Sequence, residues 1–331
     1  MVLPAQAPIS ERPLQRRQLP IPEPGPGQVL LVVTACAICR TDLHIAEGDL
    51  PLLRTPLIPG HQVVGRVLRS GPGDGTVLPG TRVGVAWLRR TCGACAYCSS
   101  GRENLCAQAE FTGYHADGGY AEYAVAPQAY VYPLPPVFTD AEAAPLLCAG
   151  IIGYRALKLA AVAPRGTLGL YGFGSSAHIT LQIAVARGST VYVCSRERAH
   201  RELARALGAA WVGEPNDRMP TPADGIIIFA PAGDLVPRAL RNLAPGGTVA
   251  LAGIHMSPIP ELAYGDLYYE RAIRSVTANT RADGAELLGE AARIPIRPTI
   301  TSFPLEDANH ALALLKTGHL TGTGVLVPSS V

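Results

Sequence analysis

The sequence predicts an α/β protein of two regions, one rich in β-strands and one built as a doubly wound parallel sheet. Three observations carry this. Residues 1–150 break into short apolar runs separated by Gly and Pro, residues 151–285 alternate short apolar runs with helix-like stretches, and a Gly-rich turn opens the first of those helices. Short runs with tight turns suit a strand-rich region, whereas alternating strand and helix patterns cover both faces of a parallel sheet.

The elements follow in order. LPIPEPGPG (19–27) reads as a stiff, extended lead-in, because each Pro fixes its own φ and restricts its predecessor. QVLLVVTAC (28–36), VVGRVLR (63–69), RVGVAWL (82–88) and YAEYAVA (120–126) read as strands. A helix of about 20 residues then bridges the two regions, with Thr139 and Glu142 in capping-box positions at its start. LGLY (168–171), TVYVC (190–194), GIIIF (225–229) and TVALAG (248–253) are the strands of the parallel sheet. AHITLQIAVARG (177–188) and RAHRELARALGA (198–209) are helices between them. Residues 295–331 offer a strand, a helix at 305–318 that ends at Gly318, and a final strand.

Composition narrows the class. A chain of 331 residues suits two domains and buries roughly three quarters of its unfolded surface, so a core forms without disulfide staples. With 48% hydrophobic and 16% charged residues, disorder is excluded. The net charge of +2 and the lack of a basic tract speak against a nucleic-acid partner. No run of about 18 uncharged apolar residues suggests a membrane span, and the N-terminal stretch does not read as a signal peptide. The expected setting is the cytoplasm, where thiols stay reduced, so the eight Cys are read first as metal ligands or core residues.

Four of them lie in CGACAYCSSGRENLC: Cys92, Cys95, Cys98 and Cys106. A Cys-x-x-Cys turn brings two sulfurs to one metal, and four thiolates close a tetrahedral zinc site with no open position. Such a site pins a loop that has little core of its own. An iron–sulfur cluster is the main rival. Cys39 in CRTDLH, His61 in PGHQVVG and Cys148 in PLLCAGIIGY could make a second, open site, since two Cys and one His leave zinc a fourth position. Each also has a plain reading: Cys148 as core, His61 as a turn residue. Spacing does not join the three. Cys36 reads as core.

LGLYGFGSSAHITLQIA (168–184) places Gly172, Gly174 and Ala177 in a G-x-G-x-x-A turn between strand and helix. The first Gly permits the turn, the second lets backbone approach a pyrophosphate, and the small third residue packs helix on strand. The next strand ends in Ser195 and Arg196, where an acidic residue would take the ribose hydroxyls of NAD. Ser and Arg accept a 2′-phosphate instead, so NADP(H) is favoured over NAD(H), although Glu197 stands close by.

CRTDLH, PGHQVVG, AWL before the four-cysteine loop, GGYAEY, LLCAGIIGYRAL and GFGSSA occur in the order of one family. The chain resembles the zinc-containing alcohol dehydrogenases of the medium-chain dehydrogenase/reductase superfamily, the yeast-type and bacterial members most of all. The resemblance implies a GroES-like catalytic domain at 1–150, completed by 286–331, and a Rossmann-type dinucleotide domain at 151–285. It implies two Zn2+ per chain: a catalytic one on Cys39, His61 and Cys148 and a structural one on Cys92, Cys95, Cys98 and Cys106. Thr41 would bond the substrate oxygen, His44 would be the outer proton acceptor, and Asp42 would orient His61. Arg40 and Ser175 would join Gly172 and Gly174 in holding the cofactor. Trp87 would line a pocket for a small, primary alcohol or its aldehyde. A homodimer or homotetramer is the family's usual assembly. One departure stands out: Gln62 follows the ligand His where the family has Glu, so the site carries one negative charge fewer. Two other readings compete, a zinc-free medium-chain reductase and a nucleotide-binding regulator without turnover.

Overall fold

The computed structural model describes residues 1–73 and 75–329. It divides into two compact units. The first holds Met1–Cys148, Ala278–Ala292 and the chain from Pro298 onward; the second holds Ala149–Thr277 and Arg293–Arg297.

In the first unit the strands are β1 (Gln28–Ala37), β2 (Gln62–Ser70), β3 (Arg82–Val85), β4 (Leu88–Arg90), β5 (Glu110–Phe111), β6 (Tyr123–Pro127) and β7 (Val131–Pro133). The second unit contributes β8 (Thr167–Tyr171), β9 (Thr190–Cys194), β10 (Trp211–Gly213), β11 (Ala223–Ile228), β12 (Leu243–Leu251) and β13 (Ala272–Ser275). The chain then returns to the first unit with β14 (Ile300–Pro304) and β15 (Thr323–Val327). The helices are α1 (Arg40–Glu47), α2 (Ala96–Ser99), α3 (Asp140–Ala143), α4 (Ala149–Ala160), α5 (Ser175–Ala186), α6 (Arg198–Ala206), α7 (Leu235–Arg241), α8 (Tyr264–Leu267), α9 (Arg281–Ala291) and α10 (Ala308–Thr317).

β1 organises the first unit. It pairs antiparallel with β2, β6 and β15, in a sheet that runs β14, β15, β1, β2, β3, β7. Val29, Leu30 and Leu31 are fully buried, because strands pair on both sides of β1 and side chains pack over it. The second unit is a sheet of parallel strands in the order β10, β9, β8, β11, β12, β13. Ile226, Ile227 and Ile228 in β11 are all fully buried, the unbroken apolar run of a strand covered on both faces.

Three elements depart from the sequence reading. RVGVAWL is two strands: β3 stops at Val85, and β4 resumes at Leu88 to pair with β5 in a separate ribbon. YAEYAVA begins as a strand only at Tyr123, and Tyr120 is a fully buried core side chain. The bridging helix is broken: α3 is followed by a 3₁₀ turn at Ala144–Leu147, and Cys148 leaves helical geometry at φ −138°, ψ −64° before α4 begins. Pro145 sits in that turn, and a Pro cannot donate to the preceding turn of an α-helix. The cap itself is as read, Thr139 Oγ1 accepting from Glu142 N–H while Glu142 accepts from Thr139 N–H at 2.9 Å.

The second boundary also moves. Residues 278–285, assigned above to the second region, fall in the first unit with the rest of α9. Gly284 makes this possible: a Cβ there would lie 2.5 Å from the Tyr132 ring, so the helix rests directly on β7. Among the described residues no single helix is long and apolar enough to cross a membrane.

Candidate metal centres and dinucleotide-binding turn

The register of two strands brings Cys39 and His61 together. Ala37, the last residue of β1, pairs with Gln62, the first of β2. Cys39 therefore leaves the sheet at the same end at which His61 enters it. Cys39 is the N-cap of α1, and Cys148 is the residue at the helix break. The two sulfurs and an imidazole nitrogen lie within 4.8 Å of one another. Nε2 of His61 is fully buried and has no hydrogen-bond partner. Zinc held at about 2.0–2.3 Å by a tetrahedral donor set spaces its ligands about 3.5–3.8 Å apart, so these donors need only small adjustments to close on one ion.

Asp42 ties the Cys39 end of α1 to the Gly60–His61 stretch. Its Oδ1 accepts from Gly60 N–H at 3.2 Å and lies 3.1 Å from His61 Nδ1, while Oδ2 accepts from Cys39 N–H at 2.9 Å. Asp42 itself is fully buried. Burial alone would push the His61 imidazole down, but the Asp42 carboxylate overrides it and holds the imidazole up at about 10. A metal at Nε2 must displace that proton. The two thiols share theirs unequally: the hydrogen bond from Cys148 holds Cys39 well below the ordinary thiol value, and the same contact drives Cys148 up.

Thr41 and His44 lie one turn apart on α1, both buried. Thr41 Oγ1 is 3.7 Å from Cys39 Sγ, and His44 Nδ1 is 2.7 Å from Asp49 Oδ2. Arg40 opens the helix and is exposed. Gln62 is buried and donates to the Ala37 carbonyl at 3.2 Å, a bond that an ionised Glu could not make. Trp87 meets the His61 ring edge-on at 4.9 Å and stacks on Phe111 at 4.7 Å. Tyr114 extends that stack at 6.0 Å. The sequence reading singled out neither Phe111 nor Tyr114, because their neighbourhood depends on the β4–β5 ribbon.

The four cysteines cluster with their sulfurs within 4.8 Å of one another. Cys92 and Cys98 Sγ are 3.8 Å apart and Cys95 and Cys98 Sγ 3.6 Å, near the edge of a tetrahedral zinc–sulfur site at about 3.8 Å. Backbone N–H groups point at the sulfurs: Cys95 N to Cys92 Sγ at 3.3 Å, Gln108 N to Cys106 Sγ at 3.4 Å. The N–H groups of Ala94 and Cys95 hold the Cys92 thiol down at about 6, the direction a metal-binding thiolate needs. Glu103, between Cys98 and Cys106, anchors the loop to α9: its carboxylate accepts from Arg281 N–H at 2.8 Å and Nη2 at 2.7 Å.

In the second unit, β8 runs through the Gly-rich turn into α5. Gly172 has φ +83°, and a Cβ there would lie 3.0 Å from Ala230. Gly174 is the N-cap of α5, has no side chain to cap it, and faces space where a Cβ would meet nothing within 4 Å. Ser175 is the first helical residue and Ala177 is fully buried. These are the features a pyrophosphate needs at a helix N-terminus. Ser195 is buried just past β9, with its N–H on the Gly213 carbonyl at 3.0 Å, and Arg196 is exposed.

Comparison with known proteins places this architecture. Residues 25–136 match the family model of the alcohol dehydrogenase GroES-like domain, and residues 177–293 match that of zinc-binding dehydrogenases. The chain is 50% identical to a probable alcohol dehydrogenase AdhA of Mycobacterium tuberculosis, over 97% of this chain and 94% of that relative. A cinnamyl alcohol dehydrogenase of Sorghum bicolor superposes with a TM-score of 0.90 at 28% identity, over 98% of this chain and 97% of that one. A cobalt- and zinc-bound thermostable alcohol dehydrogenase of Pyrobaculum aerophilum does so at 0.88 and 26% identity, over 99% of this chain and 98% of that one. The chain belongs to the zinc-containing alcohol dehydrogenases of the medium-chain dehydrogenase/reductase superfamily and is an NAD(P)-dependent alcohol dehydrogenase.

Proposed function

We propose that Cys39, His61 and Cys148 hold a catalytic zinc, that Cys92, Cys95, Cys98 and Cys106 hold a structural one, and that the enzyme interconverts a small primary alcohol and its aldehyde with NADP(H) preferred. The buried, unpartnered Nε2 of His61 beside two sulfurs carries this reading. A buried ring nitrogen without a partner is costly, and an ion removes that cost. Zinc, when bound, supplies Lewis acidity toward the alcohol oxygen, and the nicotinamide accepts the hydride.

The protein's own groups manage position and protons. Asp42 fixes the His61 ring through Nδ1, leaving Nε2 for the metal. The Thr41 hydroxyl is the relay that accepts the alcohol proton as it passes its own on, and His44, whose Nδ1 lies 2.7 Å from Asp49 Oδ2, is the outward acceptor. Trp87 narrows the pocket beside His61. Gln62 keeps the site one charge less negative and is tied to the backbone of β1. Arg40, Gly172, Gly174 and Ser175 are assigned to the cofactor, and Ser195 with Arg196 to its 2′-phosphate. The exposed Tyr264, Tyr268 and Tyr269, near the edge strand β13, support assembly as a homodimer or homotetramer. Eight free cysteines fit a reducing, cytoplasmic setting.

Two measurements test this. Metal analysis of the purified enzyme should find two zinc ions per chain; one would remove the open site. Ser195→Asp should move the ratio of kcat/KM for NADP over NAD toward NAD by about 10-fold or more, since a carboxylate repels the 2′-phosphate. A wild-type enzyme that already strongly prefers NAD would refute the cofactor assignment.

A further inference from the structure

The turn after β9 is fixed by a residue from the following helix. Arg201 lies in α6, and its Nη1 donates to two consecutive carbonyls, Ser195 O at 2.6 Å and Arg196 O at 2.7 Å. Nη2 is 3.6 Å from Glu214 Oε1, and only 18% of the Arg201 side chain is exposed. From the other side, Ser195 N–H is tied to the Gly213 carbonyl. Both peptide groups flanking Ser195 are thus bonded, while Arg196 is left exposed. Turn carbonyls at the end of a strand normally face water and move; here one half-buried guanidinium holds two of them.

We propose that Arg201 is a positioning residue for the 2′-phosphate subsite. It holds the Ser195–Arg196 turn in a conformation that leaves Arg196 exposed for a phosphomonoester on the adenosine ribose, with the buried Ser195 directly beside it. It does so through the carbonyls it binds, without touching the phosphate. The inference rests on the NADP(H) reading above. Its energetic logic is preorganisation: a turn fixed in advance does not lose conformational freedom when the ligand binds. Arg suits the role because one terminal nitrogen offers two N–H bonds in a fixed plane.

Titration calorimetry with 2′-AMP and 5′-AMP on the full-length, zinc-loaded enzyme tests it. Wild type should bind 2′-AMP at least about tenfold more tightly than 5′-AMP, since Ser195 and Arg196 reach only the 2′-phosphate. Arg201→Met should weaken 2′-AMP about tenfold and leave 5′-AMP within about twofold. Combined with Arg196→Ala, it should cost little beyond the single Arg196 variant, because the two act as one unit. Should Arg201→Met fail to fold, Arg201→Lys carries the same comparison, with an expected loss of about threefold for 2′-AMP alone. No preference in wild type overturns the NADP(H) reading and this inference with it. A wild-type preference that survives at position 201, equal losses for both ligands, or full additivity with Arg196→Ala overturns the inference alone.

Discussion

The two cysteine-bearing clusters gather their donor atoms in opposite ways. The four-cysteine loop draws its donors from one short stretch, Cys92 to Cys106, with three of the four sulfurs on partly or fully exposed residues and local N–H groups bonded to Cys92 and Cys106. The three-donor cluster draws on three separate segments, the end of β1, the start of β2 and the helix break, around a fully buried His61 and Asp42. The first is local and closed; the second depends on the whole unit and leaves a corner. A chain can therefore lose either one by a different route.

Mirror substitutions test the contrast most sharply. Cys148→Ala should lower kcat/KM by about 10³-fold or more, because Lewis acidity is worth several kcal/mol of barrier. One zinc per chain and a near-wild-type circular dichroism spectrum should remain. Cys98→Ser should also leave one zinc per chain, but the loss should appear as stability: a melting temperature lower by about 10 °C, with kcat/KM largely kept at low temperature. Activity retained in the first variant, or loss of both ions in either, would break the distinction between the clusters.

Asp42→Asn should have a smaller effect, confined to the buried cluster. Asn keeps the shape but loses the carboxylate that orients His61 and bonds the Cys39 N–H. Metal affinity at that site should fall about 10–100-fold while the four-sulfur ion stays. Competition with a graded chelator series resolves the two ions. If both leave together at wild-type chelator strength, Asp42 has no such role.

This contrast also explains what could be read from sequence. The four-cysteine loop was legible because its geometry follows from spacing: each Cys-x-x-Cys folds on itself whatever surrounds it. The parallel sheet was legible from its alternating rhythm, and the Gly172–Gly174 turn from its place between strand and helix. The Cys39, His61 and Cys148 cluster was not. Nothing local ties those positions: only the family resemblance joined them, whereas in the fold the register of Ala37 on Gln62 brings Cys39 to His61 and the helix break supplies Cys148. The break at Cys148 had a signal that went unused, Pro145 inside a helical pattern. The bonds of Arg201 to the turn after β9 and of Glu103 to Arg281 had none, since a charged residue's partner depends on tertiary placement. Packing rather than local pattern decides which region α9 joins, since Gly284 seats it against Tyr132.

Glu103 marks the limit of calling the four-cysteine loop self-contained. Its carboxylate takes four hydrogen bonds from Arg281, whose guanidinium also lies 4.8 Å over the Tyr130 ring. Burial would raise the Glu103 carboxyl, but the Arg281 bonds and charge outweigh it and hold the group below its ordinary value of 4.5. A depressed carboxylate stabilises the fold above its unfolded pKa, and that contribution disappears as pH falls through the lower folded value. Arg281 is nearly half exposed, so solvent screening keeps the contribution modest. Glu103→Gln should accordingly cost about 1 kcal/mol at pH 7, a drop of about 2–4 °C in melting temperature, with zinc content unchanged. The gap between wild type and variant should then close as the pH is taken below 4.5, because protonation makes wild-type Glu103 as neutral as Gln. A gap that stays constant through that range would mean that packing, not the ion pair, fastens the loop to α9. The four-cysteine loop would then be as self-contained as its spacing suggests.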